Sequence, residues 1–191
     1  MGVLARATLE TMGFASLGRD LHISDRAAFY GCSNIVLGDN VRIDDFCVLS
    51  AGQGGITIGN HVHVAVYACL IGKGRITISD FCNLSSRVSV YSSSDDYSGA
   101  TMTNPTIPDV YKHVLHADVS LGKHVIIGSG SVILPGTTLE EGVAVGALCV
   151  VKESCTAFGI YAGNPARRVL ERKRDLLDLE LEFMARKSVS R

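Results

Sequence analysis

The chain has 191 residues, of which 47% are hydrophobic, and a formal net charge of −1 at pH 7. This near-neutral balance excludes the basic surface that nucleic acid or anionic lipid requires, so we expect neither as a partner. The sequence has no long apolar run and no signal peptide, which predicts one cytoplasmic domain over residues 1–191 without membrane insertion.

A repeat of six residues is the dominant pattern, after a short helical lead-in predicted for residues 1–16. Neither a helix nor an alternating strand places aliphatic residues at every sixth position, whereas a fixed short period is typical of a solenoid. Leu, Ile or Val occupies all fifteen repeat positions: Leu37, Ile43, Leu49, Ile58, Val64, Leu70, Ile78, Leu84, Val90, Leu121, Ile127, Ile133, Leu139, Val145 and Val151.

Three such hexads are expected to form one triangular coil, with the aliphatic residue inside and the turn-forming residues at the corners. Eighteen residues then separate like positions on successive coils, as between Leu121 and Leu139. Burial of each aliphatic side chain contributes roughly 1.5 to 3 kcal/mol before the entropy of ordering is subtracted. Glycine-rich insertions at 51–55 and 71–75 predict bulged corners.

The period is interrupted between Ser92 and about Asp118, and it resumes in phase afterwards. A non-periodic segment of this length in a compact domain is usually functional or disordered. We therefore predict a protruding loop over residues 92–118.

The C-terminal segment has helical spacing of apolar residues, including Leu170, Leu177, Leu181 and Met184. It predicts an α-helix over residues 170–187. The helix would cover the open end or edge of the prism, where backbone groups would otherwise lack partners.

Six cysteines are present, without a CxxC pair or a Cys/His cluster, so we expect neither disulfides nor a metal site. Cys47, Cys82, Cys149 and Cys155 each fall four residues after a repeat position, where valine stands in other repeats. These cysteines are predicted to be small core residues.

The sequence resembles the hexapeptide-repeat acyltransferases in four features: the six-residue repeat, the loop, the segment 127–136 (IGSGSVILPG) and the segment 161–166 (YAGNPA). The likeness extends from residue 17 to about 172. It is closest to the galactoside, maltose and Nod-factor acetyltransferases and to the acetyltransferases of surface-polysaccharide sugars. It implies an all-β solenoid, a left-handed parallel β-helix over residues 17–169, a homotrimer with clefts between subunits, and acetyl-CoA as co-substrate.

The resemblance also implies a track for acetyl-CoA along the C-terminal coils. Small residues there would let the pantetheine arm approach the backbone, and cations would approach the adenosine phosphates. The implied pantetheine contacts are Ser129, Gly146 and Ala147, and the implied phosphate contacts are Lys152, Arg168 and Arg172.

The sequence departs from the family at the catalytic histidine of the O-acetyltransferases, because that position holds Asp95. Their usual coil asparagine also has no clear counterpart near Val66. In one interpretation Asp95 replaces the histidine and acts with His113 or His116. In the other, which fits the missing histidine better, the acceptor is an amino sugar whose neutral amine attacks unaided while Asp95 positions it.

His116 is the preferred histidine, since it precedes the resumed coil where acceptor and thioester would meet. Tyr97 and Asn104 are candidate sugar contacts because phenol and amide groups suit hydroxyl-rich ligands. The remaining substrate-binding candidates in the loop are Asp96 and His113.

The sequence thus predicts an acetyl-CoA-dependent acetyltransferase acting on a sugar. The acceptor would be a nucleotide-linked amino sugar or a sugar unit of O-antigen or capsule, in lipopolysaccharide biosynthesis. The alternatives are a metal protein like the γ-class carbonic anhydrases and a purely structural trimer. Only His61, His63 and His116 are candidate metal ligands, and their spacing does not match the carbonic anhydrase motif.

Overall fold

The computed structural model describes residues 2–189 and has the architecture of a parallel β-solenoid. Three sheets form the faces of a triangular prism, and successive strands of each sheet come from successive coils. The first face contains Ser16–Leu17, Ile35–Leu37, Ile56–Ile58, Ile76–Ile78, Val119–Leu121 and Thr138–Leu139. The second contains His22–Ile23, Arg42–Ile43, His63–Val64, Asn83–Leu84, Ile126–Ile127, Ala144–Val145, Gly159–Ala162 and Arg167–Glu171. The third contains Ala28–Tyr30, Val48–Ala51, Cys69–Gly72, Ser89–Tyr91, Val132–Ile133 and Val150–Val151.

The aliphatic positions of the repeat form the core, as predicted. All fifteen are buried, and the most accessible of them, Val145, is only 4% exposed. Leu121 pairs with Leu139 in a parallel register, which confirms the eighteen-residue coil. The four cysteines predicted for the core are buried, and all six cysteines are free thiols.

Coil length varies along the prism, and the two glycine-rich insertions account for the longer early coils. Leu37 pairs with Ile58, which is twenty-one residues later, and Ile58 pairs with Ile78, which is twenty residues later. The next coil contains the loop, so that Ile78 pairs with Leu121. Each insertion is therefore absorbed at a corner while the inward positions stay in register.

The predicted loop leaves the prism through a two-stranded antiparallel base, in which Ser93–Ser94 pairs with Leu115–His116. A 3₁₀ turn at Asp109–Tyr111 lies within the loop, and a second one at Cys32–Asn34 lies at a corner of the prism. The solenoid resumes at Val119, which pairs with Ile76. The loop is thus an insertion between two adjacent coils, as its preserved phase predicts.

Adjacent isoleucines of one strand provide a test of the core. Ile127 points inward and is fully buried, whereas Ile126 points outward and is 37% exposed. We expect Ile127→Ala to lower the free energy of unfolding by about 2 to 5 kcal/mol, because it leaves a cavity in a close-packed column. Ile126→Ala should cost about 1 kcal/mol or less. Urea denaturation of both variants measures the difference, and equal losses would contradict the inward assignment.

The two α-helices flank the solenoid. Helix α1, Arg6–Thr11, is the predicted lead-in and buries Leu9. Helix α2, Asp175–Val189, begins five residues later than the predicted start at residue 170. The intervening segment is a strand instead, because Arg167–Glu171 pairs antiparallel with Gly159–Ala162 at the edge of the second face. That strand, rather than a helix, covers the sheet edge.

Helix α2 lies along the corner between the first and second faces. Phe81 stacks between His61 and His124 there, at centroid distances of 5.1 Å on each side. Phe183 packs edge-on against His61 and Phe81. Glu180 bonds both Lys123 and His124, which anchors the middle of the helix. The helix therefore runs along the side of the prism and does not close its end.

The last turn of α2 should loosen in mild acid. Lys187 Nζ donates to His61 Nε2 over 3.0 Å, a bond that requires neutral His61. Burial, and then the charge of Lys187, lower the pKa of His61 below its ordinary value of 6.5. The stability from neutral His61 is therefore present above about pH 6.5 and is lost as the pH falls through the lower folded-state pKa. The other titratable groups that act on this contact are Asp39 and Asp80.

Hydrogen exchange of α2 between about pH 7.5 and about pH 5 measures this effect. The variant His61→Gln keeps an acceptor for Lys187 but does not titrate, so its exchange should vary less with pH in this range. Burial acts to raise the pKa of Glu180, but the bonds to Lys123 and His124 outweigh it and lower this pKa from 4.5, so the stability that Glu180 contributes is present above about pH 4.5 and is lost only below this range. An identical pH response in His61→Gln and the unmodified chain would contradict the role of His61.

Candidate functional site

A groove of about 710 Å³ lies where the loop meets the corner between the third and first faces. Gly72 and Lys73, at the end of a third-face strand, line it together with loop residues Asp95, Asn104 and His116. The volume falls within the range of sites for small molecules, and polar groups converge on it. Three of the predicted substrate and catalytic residues are therefore brought together.

His116 is oriented by the base of the loop. Its Nδ1 is 2.7 Å from Ser93 Oγ, and Ser93 Oγ accepts a hydrogen bond of 2.8 Å from the backbone N–H of Lys73. The Ser93 hydroxyl is thus fixed on one side and directed toward the imidazole on the other. This arrangement leaves Nε2 of His116 as the ring nitrogen for a ligand in the groove.

Asp95 and Asp96 have different surroundings although they are neighbours. Asp96 accepts hydrogen bonds from the backbone N–H groups of Ser98 and Thr101 and from the Thr101 hydroxyl. Hydrogen bonds from Ser98, and then those from Thr101, lower the pKa of Asp96 to about 2. The Asp95 carboxylate makes no hydrogen bond or ion pair with any residue among 2–189. Asp96 therefore organises the loop, whereas Asp95 is available to a ligand.

The other predicted substrate contacts are placed unequally. Asn104 lines the groove, but its Oδ1 accepts from the Thr106 backbone and hydroxyl at 2.9 and 2.6 Å. Tyr97 is 93% exposed, and neither it nor His113 lines the groove. The backbone N–H of His113 donates to Thr101 Oγ1, within the loop itself. Only Asn104 of these three is therefore at the groove.

The three residues implied for pantetheine lie together at the corner between the second and third faces. Ser129 lies one coil below Ala147, and its carbonyl accepts from the backbone N–H of Leu148 at 2.9 Å. Gly146 adjoins Ala147, and its N–H donates to the Tyr161 carbonyl at 2.8 Å. These small side chains leave the backbone of two coils accessible, which fits the close approach of a thin, flexible arm.

The three cationic residues implied to contact the adenosine phosphates are not grouped together at that corner. Lys152 is exposed just after a third-face strand. Arg168 pairs with Glu171 within its own strand. The Arg172 guanidinium donates to the carbonyls of His124 and Gly142 at 2.7 and 3.0 Å, and burial lowers its pKa. Arg172 therefore ties the C-terminal segment to the opposite corner.

Two lysines of the groove were not among the predicted site residues. Lys73 and Lys112 both line it, and the side chain of Lys112 is only 9% exposed. Lysine in a polar segment is ordinarily a solvated charge, so the sequence contains no signal that separates these two from the others. Only the fold, which brings Lys73 and Lys112 to the groove, distinguishes them from the other lysines.

The histidines considered as metal ligands are separated from one another. His61 lies beneath α2, His63 bonds Asp44 and Asn83 on the second face, and His116 lines the groove. Within residues 2–189 the structure forms no group of three or more His, Cys, Asp or Glu side chains suited to a metal ion. The carbonic anhydrase alternative has no support. The described helices are also too short or too polar to cross a membrane.

Comparison with known proteins gives clear relatives, although no protein-family model matches the chain. The dTDP-4-amino-4,6-dideoxy-D-glucose acyltransferase of Escherichia coli is 55% identical over 183 residues, which cover 96% of this chain and 95% of that protein. The putative lipopolysaccharide biosynthesis O-acetyl transferase WbbJ of Escherichia coli strain K12 is 30% identical, covering 70% of this chain and 67% of that protein.

Solved structures agree with these relatives. AntD, an N-acyltransferase from Bacillus cereus, was crystallised with dTDP and 3-hydroxybutyryl-CoA. It superposes with a TM-score of 0.93 at 45% identity, covering 99% of this chain and 98% of that chain. A serine-to-alanine mutant of AntD was crystallised with dTDP-4-amino-4,6-dideoxyglucose and coenzyme A, and it superposes with a TM-score of 0.92 over 96% of this chain and 98% of that chain.

Proposed function

This chain belongs to the hexapeptide-repeat acyltransferases that use acyl-CoA and act on sugars, and from this premise we propose that it N-acylates a dTDP-linked 4-amino-4,6-dideoxy sugar. The observation that carries the proposal is the 55% identity, over nearly the whole chain, to an acyltransferase named for that acceptor. The loop supports it, because Asp95 stands where O-acetyltransferases of the family have a histidine. A neutral amine does not need the strong base that a hydroxyl requires.

The chemistry proposed for the groove is direct acyl transfer. The amine nitrogen attacks the thioester carbonyl, an amide bond forms as the C–S bond breaks, and the proton released by the amine ends on the leaving sulfur, so that CoA departs as its thiol. Asp95 accepts a hydrogen bond from the amine and directs its lone pair toward the carbonyl. Holding the amine and the thioester in the geometry of attack makes the step effectively unimolecular, which is where most of the rate gain would arise.

His116 has a separate role in this scheme. Ser93 holds its Nδ1 at 2.7 Å, so Nε2 is the atom that meets the acceptor. It positions a sugar hydroxyl or the leaving sulfur, and Asn104 adds an amide contact at the same groove. We assign no substrate contact to Asp96, because its carboxylate is fully engaged with Ser98 and Thr101.

The acyl donor fits the small-residue corner. Ser129, Gly146 and Ala147 would hold the pantetheine arm, and exposed Lys152 would approach the nucleotide phosphates. The donor supplies an activated acyl group, which makes amide formation favourable. The residues of the chain bind and orient it.

Purified protein incubated with acetyl-CoA and a panel of nucleotide-linked and free sugars tests the function. We expect thiol release only with dTDP-linked 4-amino sugars, with an amide product detected by mass spectrometry. Activity on sugars that carry hydroxyls but no amine would contradict N-acylation. A panel of acyl-CoA thioesters in the same assay identifies the preferred acyl group.

We further propose that three copies associate through the third face. Its outward side chains are mostly apolar, unlike the Thr- and Ser-rich first face and the second face with Arg42, His63 and Asn83. The apolar outward residues of the third face include Val48, Cys69, Ile71, Tyr91, Val132, Leu134 and Val150. Exposed Phe46, Tyr67 and Leu148 border this face, although each has a positive φ that is costly for a side chain of that size.

Light scattering should give three times the 20.3 kDa mass of one chain. Ile71→Glu places a charge in the middle of the apolar face and should lower the mass toward that of one chain, whereas Thr77→Glu on the first face should not. A single-chain mass for the unmodified protein would contradict the trimer. We further propose that the enzyme acts in the cytoplasm. The likeness to WbbJ supports a role in surface-polysaccharide synthesis.

A further inference from the structure

Lys112 lies at the wall of an open groove with most of its side chain covered. Its side chain is only 9% exposed, and its backbone is held by a hydrogen bond of 3.1 Å to the Asp109 carbonyl and by a bridge to Met102. Burial of an ammonium group costs free energy unless acceptors meet its N–H groups. A lysine in this position therefore needs a partner of opposite charge.

The described residues supply too few acceptors for the Lys112 ammonium. Among residues 2–189, the Lys112 ammonium has one acceptor, Asp109 Oδ1 at 3.0 Å, although it carries three N–H donors. The Asp109 side chain is 89% exposed, so water screens its charge. The described residues thus leave two donors of Lys112 for a ligand or for water in the groove.

Lys73 adds a second cation to the same groove. Its backbone N–H is fixed by Ser93 Oγ, next to His116. The hydrogen bond from Lys112, then the charge of Lys112 and then that of Lys73 lower the pKa of Asp109. Both ammonium groups therefore act on one position, where a negative charge is favoured.

We propose that Lys112 and Lys73 form the subsite for the diphosphate of the nucleotide-linked acceptor. A diphosphate ester carries two negative charges and several acceptor oxygens, which match the remaining donors of Lys112, and lysine binds phosphate as a point charge. Asp95 and His116 line the same groove, so the sugar amine and the diphosphate would be held by one site. The inference rests on the proposed function and deepens it.

Calorimetric titration of the full chain with dTDP and with thymidine tests the subsite. Lys112→Met keeps the length of the side chain and removes the charge. We expect it to weaken dTDP binding about tenfold or more and to leave thymidine binding unchanged, because only dTDP carries the diphosphate. Lys173→Met, at an exposed position in the C-terminal segment, is the matched control and should bind dTDP as the unmodified chain does.

A second variant separates ligand binding from a structural ion pair. Asp109→Asn also removes the ion pair, but it leaves the Lys112 charge and withdraws the competing carboxylate. We expect its dTDP affinity to be unchanged or higher. An equal loss in Lys112→Met and Asp109→Asn would mean that the pair only holds the loop, and it would overturn the proposal. Unaltered dTDP binding by Lys112→Met would overturn it as well.

The binding assay also distinguishes this inference from the proposed function. If the unmodified chain binds dTDP through Lys112 but acylates no dTDP-linked amino sugar, the subsite stands and the proposed reaction is wrong. If it acylates such a sugar and Lys112→Met has an unchanged KM, the reaction stands and the subsite is wrong.

Discussion

Replacement of Asp95 by asparagine is expected to lower kcat on a dTDP-linked amino sugar by about 100-fold or more. The Asp95 carboxylate would orient the amine through a hydrogen bond, for which the neutral amide is a much weaker acceptor, and a misplacement of about 1 Å can lower the rate about 10²-fold. Acyl-CoA binding should be unchanged, because the proposed acyl-CoA corner lies outside the groove. Thiol release measures turnover, and the melting temperature with added CoA reports binding.

Asp178→Asn is the matched control for this experiment. Asp178 is exposed on α2, and its substitution removes the same charge as Asp95→Asn. It should have unaltered turnover. Equal losses of turnover and of acyl-CoA binding in Asp95→Asn, or no loss of either, would contradict the place assigned to Asp95.

Gly146→Leu should have the opposite result, with acyl-CoA affinity reduced about tenfold or more and dTDP binding retained. A large side chain at this position would occupy the track proposed for pantetheine. The fold should accept the change. The backbone of Gly146 does not have a positive φ, and a Cβ there would lie 3.5 Å from the Tyr161 carbonyl and 3.6 Å from Cys149 Sγ, both ordinary contacts.

The increase in melting temperature caused by CoA measures the loss, because a ligand selective for the folded state stabilises it. Gly146→Ala is the graded control and should lose less affinity than Gly146→Leu. If both variants bind CoA as the unmodified chain does, the track lies elsewhere. A lower melting temperature of Gly146→Leu without ligand would instead indicate a packing defect.

The core could be predicted from sequence because a six-residue repeat fixes which side chains point inward. Leu121 and Leu139, for example, are in the core column whatever residues occupy the corners between them. The start of α2 was predicted too early because Arg167–Glu171 contains apolar residues that suit a short strand and a helix equally. Pairing with Gly159–Ala162, a tertiary contact, decides between them.

The functional site was less predictable because its residues are defined by contacts across the fold. Asp95 was identified because it occupies the position of the family's histidine, and His116 because it precedes the resumed coil; the structure places both at one groove. Asp96 has the same side chain as Asp95, yet its hydrogen bonds to Ser98 and Thr101 give it a structural role. The burial of Lys112 and the carbonyl partners of Arg172 likewise have no counterpart in the local sequence.

We expect the unequal coil lengths to oppose misalignment of the coils during folding. A solenoid of identical repeats permits a strand to pair with the wrong neighbour while every hydrophobic contact is still satisfied. Here the pairs Leu37 with Ile58 and Ile78 with Leu121 are separated by different lengths of chain, so a shift by one coil would pair strands whose connections differ in length. The irregular spacing thus favours a single register, in which the loop emerges at one fixed height along the prism.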